Sequence, residues 1–204
     1  MTDLDRALAE IRDIRRQVAQ TTEFRGYGPL TLCATAVIAV LVGIAQRFWV
    51  PQPAQRPEQY VGLWLATGLV CAGLIVTQML TRANRLHSGM AQEMIWMASA
   101  QFLPAAVAGA VLPLILIRQA PGVVWMLPGL WQIIFSLGVF ASRRCLPKPM
   151  VLVGAWFLLT GLVCVWLGDA RALSPLGMAG PYAVGMVAVA AIHFFFSHKG
   201  AHDE

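Results

Sequence analysis

Residues 28–46 read GPLTLCATAVIAVLVGIAQ, nineteen consecutive positions without a charged side chain. At ~1.5 Å per residue a helix of that length rises ~28 Å, close to the ~30 Å of hydrocarbon in a bilayer. Five more apolar stretches follow, at about 60–80, 94–117, 123–142, 150–168 and 176–197. Lipid offers no partner for bare backbone amides, so such stretches must be helical unless they close into a barrel. None shows strand-like alternation. The expected fold is an all-α integral membrane protein with six transmembrane helices arranged as three hairpins, preceded by an N-terminal amphipathic cytoplasmic helix.

Composition narrows the class. The chain has 204 residues, 58% hydrophobic and 12% charged, whereas a soluble domain carries about 25% charged residues. The charges gather in residues 1–25 and between the apolar stretches. Residues 1–26 read as a cytoplasmic arm, 27–198 as the six-helix bundle and 199–204 as a short cytoplasmic tail. The arm is too short to bury a core of its own. No short basic region followed by a short apolar core opens the chain, so Met1 is expected to be retained. Cys33, Cys71, Cys145 and Cys164 form no CxxC pair, and three lie inside apolar stretches; they read as packing residues.

The basic residues set the orientation. With six spans, one side collects eleven Lys and Arg, from Arg6 to Lys199, and the other only Arg47, Arg56, Arg118 and Arg171. The richer side is cytoplasmic, which puts both termini inside. The expected location is the bacterial inner membrane. The net charge of +5 reflects this bias and points to membrane lipids with anionic headgroups as partners, and not to nucleic acid. Trp49, Tyr60, Trp64, Trp125 and Trp166 lie near the outer loops, where an interfacial belt is expected.

In the arm, Leu4, Ala7, Ile11, Ile14 and Val18 recur at steps of three and four on an otherwise charged helix. Thr2 and Asp5 have the spacing of a capping box. Leu4, Leu8, Ile11, Ile14, Arg15, Arg16 and Val18 are the candidate contacts of this arm with headgroups, with a copy of itself or with a membrane-complex partner. Pro29 can open the first span, since that position needs no amide donor. Gly62-Leu63-Trp64, Gly129-Leu130-Trp131 and Gly180-Pro181-Tyr182 recur early in the even spans. A weak threefold hairpin repeat is one reading of these matches; chance similarity between apolar segments is the other.

Polar groups inside a bilayer are costly, so each is a candidate site. At 100° per residue, His87, Met90, Met94, Met97 and Gln101 share one face of the third span, with Glu93 at its edge. Thioethers and imidazole suit a soft metal ion, making His87, Met90, Met94 and Met97 the one candidate metal set. The competing account is structural: a wet-loop histidine, packing methionines and a carboxylate at headgroup depth. Glu93, Gln101 and Gln132 define a candidate ion or ligand path. His193 could hold haem or quinone, though it more simply makes a bundle hydrogen bond. Apart from haem in that alternative, no cofactor is expected. Thr35, Thr67, Thr160, Ser99 and Ser136 read as interhelical fasteners.

No Walker loop, HExxH or GxSxG is present, and the chain is not expected to be an enzyme. The leading expectation is a membrane subunit, scaffold or sensor that engages a partner or itself through the Arg-rich arm. The alternatives are a small transporter or channel along the third span, and a haem- or quinone-binding subunit using His193.

Overall fold

The computed structural model describes residues 28–86, 89–144 and 146–202, leaving out the side chains of 82–95, 98, 144, 170 and 195–202. The candidate arm contacts Leu4, Leu8, Ile11, Ile14, Arg15, Arg16 and Val18 lie outside the described residues, as do His87 and Cys145. The described residues are helical nearly throughout, with no strand among them. Six helices follow one another: α1 (Pro29–Trp49), α2 (Pro57–Leu86), α3 (Gly89–Gln119), α4 (Leu127–Ala141), α5 (Met150–Trp166) and α6 (Pro175–His202). Short 3-10 helices at Pro121–Met126, Ser142–Arg144 and Ala170–Leu173 bracket α4 and lead into α6.

Proline and glycine punctuate these elements as backbone sterics require. Gly28 is extended and Pro29 opens α1. Pro57 opens α2, with Glu58 in its first turn, where a carboxylate meets the positive end of the helix. The α5–α6 turn bends at Gly168, whose φ of 71° lies in the left-handed region that glycine adopts without strain. Asp169 then caps the next 3-10 helix, accepting from the Arg171 backbone N–H at 2.8 Å. Its side chain also pairs with Arg171 Nε at 2.7 Å, an exposed pair of small energetic consequence.

Among the described residues, five spans are long and apolar enough to cross a membrane: Pro29–Trp49, Pro57–Thr81, Ser99–Gln119, Pro121–Ala141 and Pro175–Phe194. The α5 helix is shorter, at 17 residues. Apolar side chains cover the outside, among them Leu30, Phe48, Leu69, Leu103, Leu152, Leu159 and Leu176. A water-soluble monomer rarely exposes so much contiguous apolar surface; a bilayer accommodates it.

The helices form a ring in which each adjoins its neighbours in sequence and α6 closes on α1. The α1–α6 and α4–α5 contacts are the most extensive, and α2–α3 the lightest of the ring. Two clusters fill the centre. One, towards the chain termini, gathers Leu32, Ala36, Met150, Val153, Phe157, Met186 and Val189. The other, towards the α1–α2, α3–α4 and α5–α6 turns, gathers Val50, Tyr60, Val61, Trp64, Val124, Leu127, Leu173 and Ala179. Tyr60 and Trp64, near the α1–α2 turn, are buried within this cluster. Their rings turn inward, while Trp49 and Trp166 stay 70% and 85% exposed.

Where helices share no hydrophobic drive, backbone proximity supplies the attraction. The tightest crossing is α4 on α5. A Cβ built at Gly129 would stand 2.6 Å from the Gly161 carbonyl oxygen, and one at Gly161 would stand 2.8 Å from the Gly129 oxygen. Gly154 receives the Phe140 ring, Gly185 the Phe157 ring, and Gly43 faces Ala179. Gly68 and Gly73 instead face open space. Gly129→Val should therefore cost about 3 kcal/mol through a backbone clash that no rotamer relieves. Gly73→Val should stay within about 0.5 kcal/mol. Reversible unfolding in mixed micelles measures both, and equal effects would reject this packing.

Candidate functional site

Among the described residues, three prolines lie inside helices, Pro104 and Pro113 of α3 and Pro181 of α6, and the polar chemistry of the bundle centres on the last two. Proline has no N–H, so the carbonyl four residues earlier loses its helical donor. For Pro113 in α3 that carbonyl belongs to Gly109, and for Pro181 in α6 to Gly177. Both freed oxygens are met by adjacent residues of α4. Trp131 Nε1 donates to the Gly109 oxygen at 2.7 Å. Gln132 Nε2 donates to the Gly177 oxygen at 2.8 Å, and Cys164 Sγ of α5 approaches the same oxygen at 3.6 Å. Consecutive residues on a helix point ~100° apart, so α4 reaches α3 with one side chain and α6 with the next. Proline inside a membrane helix is tolerated when neighbouring helices meet the freed groups in this way.

A second tie closes the ring between α1, α2 and the turn before α6. Gln46 Nε2 donates to the Leu173 carbonyl at 2.8 Å, and Trp64 Nε1 donates to Gln46 Oε1 at 3.0 Å. Both side chains are buried. Nearer the chain termini, Tyr182 of α6 lies beside Thr35 of α1 and Cys71 of α2, while the Thr35 hydroxyl donates to the Leu32 carbonyl of its own helix at 2.8 Å. Gln78 Oε1 accepts from the Gly28 N–H at 3.0 Å, so α2 caps the start of α1. Thr67 and Thr160 do not fasten one helix to another: each hydroxyl bonds a carbonyl of its own helix, Leu63 and Trp156 respectively, a known alternative for threonine in helices.

The candidate path residues occupy different surroundings. Gln132 faces α5 and α6 through Cys164 and Gly177. Gln101 is half-buried on α3, and its Oε1 has no hydrogen-bond partner among the described residues. The α3–α4 contact runs instead through Phe102 against Gly138 and Phe135, and through Gly109 against Trp131. Glu93, Met90 and Met94 lie in α3 but their side chains are outside the described residues. Met97 is exposed. His193 is buried on α6, sixteen residues beyond Gly177 and so ~24 Å further along the helix than the oxygen Gln132 holds. No group of three or more His, Cys, Asp or Glu that could hold a metal ion occurs among the described residues.

Sequence reasoning missed Gln46, Trp64, Trp131 and Cys164 as members of polar ties. The signal for one pair was present: Pro113 and Pro181 lie inside apolar stretches, so the carbonyls four residues earlier, of Gly109 and Gly177, lose their helical donors. No protein family, no curated protein and no solved structure matches the chain. What the fold establishes is the general class: an all-helical bundle whose long apolar helices fit a membrane protein.

Gln132→Leu should lower stability by about 1–2 kcal/mol, because it leaves a buried carbonyl without a donor. Adding Pro181→Ala restores an N–H to the Gly177 carbonyl from within α6. The double variant should recover most of the loss, and chemical unfolding in micelles reads the difference. A loss that persists in full would remove the Gly177 carbonyl as the reason for Gln132.

Proposed function

We propose that this chain is a non-enzymatic, six-span membrane subunit or scaffold of the bacterial inner membrane, with both termini cytoplasmic. It engages a second copy of itself or a membrane partner, using the Arg-rich arm of residues 1–26 and the flank of α3. The observation that carries this reading is the uneven coverage of the bundle. Only 6% of the Ser99–Gln119 span is buried, against 28–44% for the other four long spans. An apolar helix in lipid gains nothing from hydrophobicity alone, so close packing must supply any attraction. Along the exposed side of α3, Ala100, Pro104, Val107, Ala108 and Val111 offer small or compact side chains at helical spacing. Such a surface lets another helix approach closely.

The remaining support is the use made of the interior. The buried amides Gln46 and Gln132 hold backbone carbonyls, which fits a bundle whose polar groups secure its own helices. Nothing in the separate placements of Gln101 and Gln132 favours a transport path between them.

Deleting residues 1–22 should reduce the particle mass measured in detergent or lipid nanodiscs, or abolish recovery of a co-purifying membrane partner. In a background without the native cysteines, Ala108→Cys should form intermolecular disulfides, whereas Leu152→Cys on the outer side of α5 should not. An unchanged mass and unchanged partner recovery after the deletion would overturn the role of the arm. Equal crosslinking at both cysteines would overturn the role of α3. Reporter fusions should place both termini in the cytoplasm.

A further inference from the structure

The six helices end at unequal heights on the side of the chain termini. The Gly28 N–H donates to Gln78 of α2, and α2 continues to Leu86, ~12 Å further by helical rise. Gly43 of α1 faces Ala179 of α6. Counted from that crossing, the end of α6 at His202 also stands ~12 Å beyond Gly28. Gly138 of α4 meets Phe102 of α3, which places the start of α3 at Gly89 ~15 Å beyond the end of α4. Gly185 of α6 meets Phe157 of α5, so α6 also ends ~15 Å beyond the start of α5 at Met150. In the ring, α2 and α3 thus rise as one wall and α6 as another. Between them lies a low floor made of the start of α1 and the α4–α5 turn. The floor is continuous: Leu32 of α1 and Met150 of α5 share one cluster, and Leu146 is half-buried against it.

We propose that this cleft is the docking site for residues 1–26 of the same chain, laid as a helix across the floor from α1 to the α4–α5 turn. Where the segment joins the bundle selects it as the occupant. The chain enters α1 between the two walls, because α1 packs on both α2 and α6 and Gly28 is buried against Gln78. A segment tethered there meets the cleft at high effective concentration, without the association cost that a separate chain pays. The length also fits. Residues 4–18 as a helix measure ~21 Å, about two interhelical spacings of 8–10 Å. The chemistry is complementary as well. Leu4, Leu8, Ile11, Ile14 and Val18 supply an apolar seam for Leu146 and the cluster beneath it. The first half of the arm is acidic, with Asp3, Asp5, Glu10 and Asp13 against Arg6 and Arg12. That half reaches the α4–α5 turn, where Arg143 and Lys148 are exposed. Arg16 lies ~160° round the helix from Ile14, so the docked arm still turns it outward.

The docking concerns one chain only and is tested separately from assembly. In a background without the native cysteines, a short bismaleimide should join Ala7→Cys to Lys148→Cys within one nanodisc-embedded chain, as read by tandem mass spectrometry. Chains carrying only one of the two, mixed in equal amounts, should give at most about a tenth of that yield. Joining between separate chains at a comparable yield overturns the proposal and assigns the cleft to the arm of a second copy. Absence of any joining overturns it outright, and neither result touches the effect of the arm on particle mass. Ile11→Asp with Ile14→Asp should cut the yield within one chain at least threefold, and an unchanged yield also overturns the docking. The unaltered protein gives an independent readout by hydrogen exchange. Amides of residues 4–18 should exchange at least tenfold more slowly in the full chain than in a peptide of residues 1–22 on empty nanodiscs of the same lipid. Equal rates would mean that the arm rests on headgroups alone. They overturn the proposal, and this comparison decides the matter if the cysteine-free chain does not fold.

Discussion

The hydrogen bond from Gln132 to the carbonyl of Gly177 is the contact on which the rest of the bundle depends. Pro181 makes it necessary by withholding the N–H that the carbonyl would have used within α6. In water that oxygen would be solvated; inside a lipid-embedded bundle it must find a donor on another helix or remain unmet. The same requirement, set by Pro113, fixes Trp131 against Gly109. Because the two donors are consecutive on α4, meeting both carbonyls leaves α4 little rotational freedom. The rotation of α4 then decides which residues face α5, and Gly129 and Gly161 meet there, backbone to backbone.

This arrangement explains why the helix crossings are so unequal. Glycines that face a partner permit contact at the distance of the peptide backbone, and α4–α5 and α1–α6 are accordingly the broad contacts. Glycines on α2 that face outward contribute no crossing. The ring is correspondingly thin where α2 meets α3, and α3 is left with most of its surface uncovered. Chemistry is distributed unevenly as well. Polar ties concentrate at the turn end, through Gln46, Trp64 and Gln132, while the other end is held by the Gln78 cap on Gly28.

Much of the architecture was legible because the bilayer imposes a length and a helical period on any span. The six helices lie where the apolar stretches lie, with boundaries moved by a few residues at prolines and 3-10 turns. Less of the site was legible. Gln132 stood out as a polar residue within a span, but its partner belongs to a helix 45 residues later, and no local spacing links them. Tyr60 and Trp64 looked interfacial from their place near a loop. Only the ring closure, which brings Leu127 and Leu173 beside them, turns those rings inward.

The sequence alone determined that this chain is helical and suited to lipid, because nineteen uncharged residues in a row leave the backbone no other way to satisfy itself there. It also marked, through prolines inside the apolar stretches, carbonyls that lose their helical donor. Tertiary structure alone decided which side chains answer them, because a donor is chosen by the rotation and neighbour order of whole helices.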